Sequence, residues 1–324
     1  MLPGAEALWI VCLALVADAI IGDPDALWRR MPHPVSWIGK FISVLDSALN
    51  QTGWPDFLRR LAGLVTVLVL VSLVGASGWM LDRLLRNLPF AMVWIGLVAS
   101  VLLAQNSLHR HVARVASGFA AGGLDGGRQA VSMIVGRDPN SLDEAGVCRA
   151  AIESTAENFS DGVVAPVFWL ALFGLPGLLI YKAINTADSM IGHRTPRHEA
   201  FGWAAARLDD LINLAPARLS GMLLACCAPM VGGSLITAFQ VMWRDARLHR
   251  SPNAGWPEAA MAAALGLALA GPRRYGSTVV EDPFLHAEGR ADATPSDIAR
   301  SLRLLVCACL LQLALVGLLA WSLS

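Results

Sequence analysis

The chain alternates between long apolar runs and short polar clusters. Residues 8–21 are apolar apart from Asp18, 61–81 form an unbroken run, 89–103 a shorter one, and 302–323 another clean one. A helix needs about 20 apolar residues to cross the hydrocarbon of a bilayer, which the second and last of these supply. Two further runs are interrupted, 163–184 by Gly174-Leu-Pro-Gly177 and 219–243 by Pro229 and Gly232-Gly233. The run 259–270 is too short and too rich in alanine to span. This pattern predicts an all-α polytopic integral membrane protein with about four to six spans. Broken or re-entrant helices are expected at 163–184 and 219–243, because irregular backbone is tolerated at membrane depth where it lines a cavity in the protein. No internal repeat or low-complexity segment interrupts the pattern, so 1–324 reads as a single integral membrane domain.

Composition agrees. Hydrophobic residues make up 55 % of the chain and charged residues 15 %, with a mean hydropathy of +0.54, whereas soluble domains carry about 25 % charged residues. Ala17-Asp-Ala19 mimics a signal-peptidase site, but no basic segment precedes it, so the first run reads as a retained span. The formal net charge is zero and gives no reason to expect a nucleic-acid partner. Basic residues sit in loop 23–60 (five), loop 105–162 (five), loop 182–218 (five) and segment 244–303 (eight), with only Arg83 and Arg86 between 82 and 88. The positive-inside rule therefore puts 23–60, 105–162, 182–218 and 244–300 in the cytoplasm as candidate catalytic loops. A hairpin folded at Gly174–Gly177 keeps 182–218 on that side.

Four polar clusters carry the candidate chemistry. The first loop holds Gly22-Asp23-Pro24-Asp25 and Pro32-His33-Pro34, where two prolines around a histidine enforce extended backbone. The second cluster is Glu153-Ser-Thr-Ala-Glu157-Asn158-Phe-Ser-Asp161. On an α-helix its three carboxylates share one face, about 40° apart per step of four, and their repulsion favours a cation against them. The third runs from Lys182 through Asn185 and Asp188 to His193 and Arg194, and offers cation, amide and carboxylate close to one helix face. The fourth contains Arg207, Asp209, Asp210, Asn213 and Arg218. Paired carboxylates beside an amide suit Mg²⁺, which takes a few hard oxygens, and arginines suit phosphate. Solvated helix faces, a snorkelling lysine and an ion-pair ladder are the plainer accounts of these clusters. Ser251 or Asn253 reads as a helix cap, and Arg273, Arg274 and Tyr275 as a membrane-edge anchor.

What is missing narrows the chemistry further. There is no phosphate-binding G-x-x-x-x-G-K-[ST] loop, no G-x-G-x-x-G, no H-E-x-x-H and no G-x-S-x-G. Cys12, Cys148, Cys226, Cys227, Cys307 and Cys309 include no C-x-x-C pair and read as core residues. The residues alone thus describe a polytopic membrane enzyme that uses Mg²⁺ on a phosphorylated or activated substrate. A Mg²⁺-dependent membrane transferase acting on an activated alcohol or isoprenoid is one alternative, and a transporter built on broken helices is another.

Five strings, in order and in register over about residues 18–276, resemble the adenosylcobinamide-phosphate synthase family. They are Gly22-Asp-Pro with His33-Pro-Val and Ile38-Gly, Glu153 to Pro166, Lys182 to Gly192, Ala206 to Leu219, and Ser251 to Met261. The pattern departs at His193, where an aromatic is expected. The resemblance implies the membrane-bound amide synthase of cobalamin biosynthesis, in the bacterial inner membrane. Such enzymes join the free propionate of adenosylcobyric acid to (R)-1-aminopropan-2-ol or its O-phosphate, with ATP as energy source and Mg²⁺ required. On that basis Glu153, Glu157, Asp161, Asp209 and Asp210 are candidate Mg²⁺ ligands. Glu157, Asp188 and Lys182 are candidate catalytic residues, with Asp188 as general base. Asp23, Asp25, His33, Asn158, Asn185, Arg194, Arg207, Asn213 and Arg218 are candidate contacts to ATP or substrate. Expected partners are these small molecules, the bilayer, and further copies of the chain or other enzymes of the pathway. Whether the amine arrives phosphorylated, and whether activation gives an acyl phosphate or an acyl adenylate, stays open.

Overall fold

The computed structural model describes residues 4–23, 28–134, 139–275 and 278–324. In chain order the helices are α1 (Ala5–Ile20), α2 (Pro34–Leu49), α3 (Asp56–Arg86), α4 (Ala91–Ser100), α5 (Gln105–Val131), α6 (Glu144–Phe159), α7 (Ala165–Ile191), α8 (Trp203–Ile212), α9 (Leu214–Cys227), α10 (Leu235–Asp245), α11 (Gly255–Leu265) and α12 (Pro295–Ser322). A π-helical turn, Ser160–Val164, joins α6 to α7. Four short strands, β1 (Leu269–Ala270), β2 (Arg273–Tyr275), β3 (Thr278–Val280) and β4 (Phe284–Leu285), pair antiparallel as β1–β4 and β2–β3. Among the described residues, five stretches are long and apolar enough to cross a membrane: Asp56–Arg86, Ala91–Val131, Glu144–Ile191, Leu214–Val231 and Pro295–Ser322. The chain is therefore a helical protein of the polytopic membrane class. The first apolar run, at 16 residues in α1, falls short of these five.

Local chemistry sets the helix ends. Pro34 opens α2 with its φ already helical, and the Val35 N–H donates to His33 Nδ1 at 3.2 Å. Asp143 caps α6 by accepting from the Gly146 N–H at 2.7 Å, and Ser234 caps α10 by accepting from Thr237. The expected break in 219–243 is present: α9 ends at Cys227, a 3₁₀ turn covers Ala228–Val231, and Gly232 turns left-handed before α10.

Helices α5 and α7 are broken by the same device. Gly123 and Gly174 hold φ of +58° and +64°, a region that costs residues with a Cβ but not glycine. In an unbroken helix residues eight apart are about 12 Å apart along the axis. A Cβ placed on Gly177 would lie 2.6 Å from the Trp169 carbonyl oxygen, so the arms of α7 fold back on each other at the Gly174 break. Gly118 and Gly126 touch backbone to backbone across the break in α5. The break in α7 falls within the segment Gly174–Gly177 that the sequence singles out.

The described residues form two compact units. In one, comprising Met1–Leu103, Ala165–Asn213 and Val316–Ser324, the core joins Ile38 and Ile42 of α2, Ala62, Val67 and Leu70 of α3, Ala183, Ala187 and Ile191 of α7, and Phe201, Ala204 and Ala205 at α8. Small side chains at 183, 187, 204 and 205 bring α7 and α8 close together, which sets the geometry of the polar residues beside them. The other unit, Ala104–Val164 with Leu214–Leu315, is centred on α11. Every residue of that helix is buried, including Glu258. The alanine-rich run that looked too short to span is thus a core helix.

Candidate functional site

On α7, Tyr181, Asn185 and Asp188 follow at steps of four and three, next to the buried stripe Ala183–Ala187–Ile191, so they emerge along one side of the helix. On α8, Ala204, Ala205 and Leu208 pack inward and leave Asp209 and Asp210 at the edge of the core, with Asn213 capping the end. The two sets meet. Asn213 Nδ2 donates to Asp209 Oδ2 at 3.0 Å, and Asn185 Nδ2 points to Asp209 Oδ1 at 3.4 Å. Tyr181 Oη donates to Asn213 Oδ1 at 3.1 Å, which orients the amide with its NH₂ toward Asp209. Tyr181 and Asn213 are buried, Asp209 half-buried.

Electrostatics marks Asp209 as the unusual group. Burial, and then the neighbouring Asp188 carboxylate, push its pKa up to about 7, against the two amide donors. Burial also raises Asp210, opposed by Arg207 and Arg194. Arg207 Nη1 lies 3.7 Å from Asp210 Oδ2. His193 is within electrostatic reach of Asp188, and Arg194 of Asp210, although both are exposed. Lys182 is half-buried one residue beyond Tyr181. Clustered carboxylates with amides already oriented on one of them have the donor chemistry that Mg²⁺ takes, namely one or two carboxylates completed by water and phosphate. Among the described residues, no three His, Cys, Asp or Glu side chains lie together so that they could hold a metal ion by themselves.

The loop between α7 and α8, which carries His193 and Arg194, is tied down by residues that spacing did not single out. Buried Arg59 donates to Asn50 Oδ1 at 3.1 and 3.2 Å and to the carbonyls of Pro196 and Arg197. Asn50 in turn donates to Asp46 and to the Arg197 carbonyl. Asp46 pairs with Arg197 at 2.9 Å and with His198 at 3.4 Å. Burial acts to raise Asp46, but the hydrogen bonds from Asn50, Arg197 and His198 outweigh it and hold the carboxyl below its usual range. The only sequence signal for this network is a charged residue, Arg59, near the start of a helix apolar enough to cross a membrane.

His33 is already occupied. With Nδ1 accepting from Val35, Nε2 carries the hydrogen and donates to the Val101 carbonyl at 3.0 Å, tying α2 to the end of α4. Asp23 lies 3.7 Å from the same nitrogen. Asp25 lies outside the described residues.

The acidic nonapeptide belongs to the other unit. Glu153 is buried and its Oε1 accepts from the Ala270 N–H at 2.9 Å. Ala270 holds φ +59°, strained for a residue with a Cβ, so Glu153 clamps an unfavourable turn in place. Glu157 and Asn158 are exposed, and Asp161 is half-buried in the π-turn, a feature frequent at functional sites. Asn158 Nδ2 turns back onto the Ser154 carbonyl and hydroxyl, at 2.9 and 3.1 Å. Arg218 donates to the Leu214 carbonyl and stacks 4.4 Å over the Trp256 ring. His249, whose Nε2 is 3.8 Å from the buried Glu258, fixes the turn that opens α11. Replacing Glu153 by Ala leaves a buried N–H without its acceptor and is expected to cost about 1–3 kcal/mol. The thermal unfolding midpoint in detergent should fall accordingly, and Glu153→Gln, which keeps a carbonyl oxygen, should recover most of it.

A family model described as CobD/Cbib protein matches residues 11–305. A "Cobalamin biosynthesis protein CobD" of Sinorhizobium sp is 54 % identical over 305 residues, covering 93 % of this chain and 94 % of that protein. Proteins of the same name from Rhizobium meliloti (strain 1021) and Rhodobacter capsulatus are 53 % identical over 308 residues and 49 % over 320. Those alignments cover 94 % of each chain in the first case, and 97 % of this chain and 98 % of its relative in the second. No solved structure matches. With matches at these identities over nearly the whole length of both partners, the chain belongs to the CobD/Cbib protein family.

Proposed function

We propose that this chain acts in cobalamin biosynthesis as an amide synthase, joining the free propionate of adenosylcobyric acid to (R)-1-aminopropan-2-ol or its O-phosphate at the expense of ATP. The observation that carries this is the Asp188–Asp209–Asp210 carboxylate cluster, with Asn185 and Asn213 holding Asp209. The names of the relatives, cobalamin biosynthesis proteins, support the pathway.

A carboxylate resists attack because its leaving oxygen is a strong base, so the propionate must first be activated as an acyl phosphate or acyl adenylate. Mg²⁺ held by Asp209 and Asp210 would supply charge neutralisation at the phosphates. The chain's own groups do the rest. Asn185 and Asn213 keep both Asp209 oxygens oriented, while Arg194, Arg207 and Lys182 offer cationic contacts to phosphate oxygens. Asp188 takes a proton from the incoming ammonium, freeing the nitrogen lone pair for attack. In the second unit Glu157, Asn158, Asp161 and Arg218 are the candidate contacts to reactants, whereas Glu153 holds the Ala270 N–H. Glu157→Gln is expected to reduce turnover more than about tenfold in protein that still inserts. We further infer that the chain resides in the bacterial inner membrane, with loops 23–60, 105–162, 182–218 and 244–300 on the cytoplasmic side.

The test is to incubate purified protein with adenosylcobyric acid, ATP, Mg²⁺ and each amine, followed by mass spectrometry of the corrinoid. An adduct with one amine and its loss without Mg²⁺ are expected. Release of ADP would indicate an acyl phosphate, and release of AMP an acyl adenylate. An unchanged corrinoid with both amines would overturn the assignment.

A further inference from the structure

The string Ser251-Pro-Asn-Ala-Gly-Trp256-Pro-Glu258, which opens α11, takes no part in the chemistry assigned above, yet it builds a rigid aromatic surface in the second unit. The Ser251 hydroxyl closes the turn by accepting from the Asn253 and Ala254 N–H groups, each at 3.2 Å. The Ser251 N–H donates to His249 Nδ1 at 3.0 Å. Trp256 follows and is buried. Its Nε1–H donates to the Pro252 carbonyl at 3.2 Å, and its ring meets Trp243 edge-on, 5.0 Å between centres. Hydrogen-bonded at one end and packed along its face and edge, the indole is held in one orientation.

Helix α9 is brought against this surface by a missing side chain. A Cβ on Gly221 would lie 2.9 Å from the Trp256 carbonyl oxygen, so α9 and α11 approach there at backbone distance. Arg218 is one turn earlier on the same face of α9. Its guanidinium carbon lies 4.4 Å from the centre of the indole, and its Nη1 donates to the Leu214 carbonyl at 2.6 Å. Among the described residues no carboxylate pairs with Arg218, and its Nε and Nη2 donors are unspent. Arg244 of the same unit, by contrast, spends Nε, Nη1 and Nη2 on Asp245 and Glu288. A guanidinium attracted to an indole face loses its freedom to swing, and two neighbouring N–H donors in one plane match two oxygens of a phosphate or carboxylate.

We propose that Trp256 is a positioning residue that holds Arg218 as a ready fork for a phosphate or carboxylate oxyanion of a reactant. The proposal rests on the amide-synthase reading for the sources of that oxyanion: ATP, the O-phosphate of the amine, or the corrinoid propionate. Both residues lie in stretches that the positive-inside rule puts on the cytoplasmic side, where ATP is.

Binding of ATP with Mg²⁺, of 1-aminopropan-2-ol, of its O-phosphate and of adenosylcobyric acid is measured separately on purified full-length protein. The proteins are wild type, Trp256→Leu, Trp256→Phe, Arg218→Gln, and each Trp256 change combined with Arg218→Gln. At least one ligand bearing an oxyanion should lose about fivefold or more in affinity in Trp256→Leu, and about threefold in Trp256→Phe, whose ring attracts a cation less strongly. The responding ligand identifies the source. The unphosphorylated amine, which has no oxyanion, should bind unchanged. With Arg218→Gln already present, changing Trp256 should cost that ligand nothing more, because a residue acting through another is non-additive with it. If leucine at 256 prevents folding, the cycle with Trp256→Phe carries the test. Equal weakening of all four ligands, the same loss with and without Arg218, or no loss in the Trp256 variants would each overturn the proposal. Wild type that binds none of the oxyanions would overturn it together with the amide-synthase reading, whereas wild type that binds them but forms no amide overturns that reading alone.

Discussion

Asp209→Asn is expected to reduce turnover by well over tenfold while the protein still inserts in the membrane, the size of effect seen when a metal's carboxylate support is removed. The variant keeps the shape of the side chain but removes the charge, and it keeps only one of the two contacts from Asn185 and Asn213, because one acceptor oxygen becomes an NH₂. Its pH signature separates this from a packing defect. The folded carboxyl titrates near 7, pushed up by burial and by Asp188, whereas an unfolded one titrates at about 4. Between those values the folded state binds more protons, so without Mg²⁺ stability should fall as pH rises from about 4 to 7 and level off above. For the same reason apparent Mg²⁺ affinity should weaken as pH drops below 7, because the ion must displace that proton. Thermal unfolding against pH and Mg²⁺ titration at two pH values read both effects. In Asp209→Asn both dependences should weaken, leaving the smaller linkage of Asp210, whose carboxyl burial also raises. If the variant keeps wild-type turnover, or the wild type shows no proton linkage, Asp209 does not hold the cation.

Gly202→Val should be more damaging to the fold than any change within the carboxylate cluster. A Cβ at Gly202 would overlap the Ile191 carbonyl oxygen, a backbone atom that cannot rotate away. The Gly202 N–H also donates to the His198 carbonyl at 2.7 Å, closing the loop that Arg59 and Asn50 anchor. Relieving the overlap would part α8 from the end of α7 and open the core at Ile191, Phe201 and Ala205. Overpacking of this kind costs about 3 kcal/mol or more. Low yield of monodisperse protein and a depressed unfolding midpoint are the expected readouts, with Gly202→Ala intermediate. A Gly202→Val protein with normal yield and midpoint would mean that α7 and α8 are not packed as described.

Several features could be read without coordinates because they are written along a single segment. The length of the apolar run behind α3, the Gly174–Gly177 interruption in α7 and the Pro229–Gly233 interruption after α9 depend only on local hydropathy and backbone preference. Asn185 and Asp188 on one side of α7 follow from helical periodicity. The side chains' partners could not be read in this way. Glu153 looks like Glu157 in the sequence, yet it is turned inward because the Ala270 N–H, more than a hundred residues away, needs an acceptor. His33 lies between two prolines, the setting of a rigid substrate-facing loop, yet both ring nitrogens are committed to backbone at Val35 and Val101. Tyr181 and Asn50 carried no pattern, since each acts through an element distant along the chain, and the charge of Arg59 in an apolar helix did not show its partners.

By itself, then, the sequence determined a helical membrane protein, where its helices break, its family resemblance and which residue types are available for phosphate and cation chemistry. Hydropathy and backbone preference act over a few turns of chain, so composition and spacing suffice to read them. Only the tertiary structure decided that Asn185 and Asn213 meet on Asp209, that Glu153 holds a strained turn, and that a run too short to span is a fully buried core helix. Those outcomes depend on which helices pack together and how closely small residues let them approach, and no single segment carries that information.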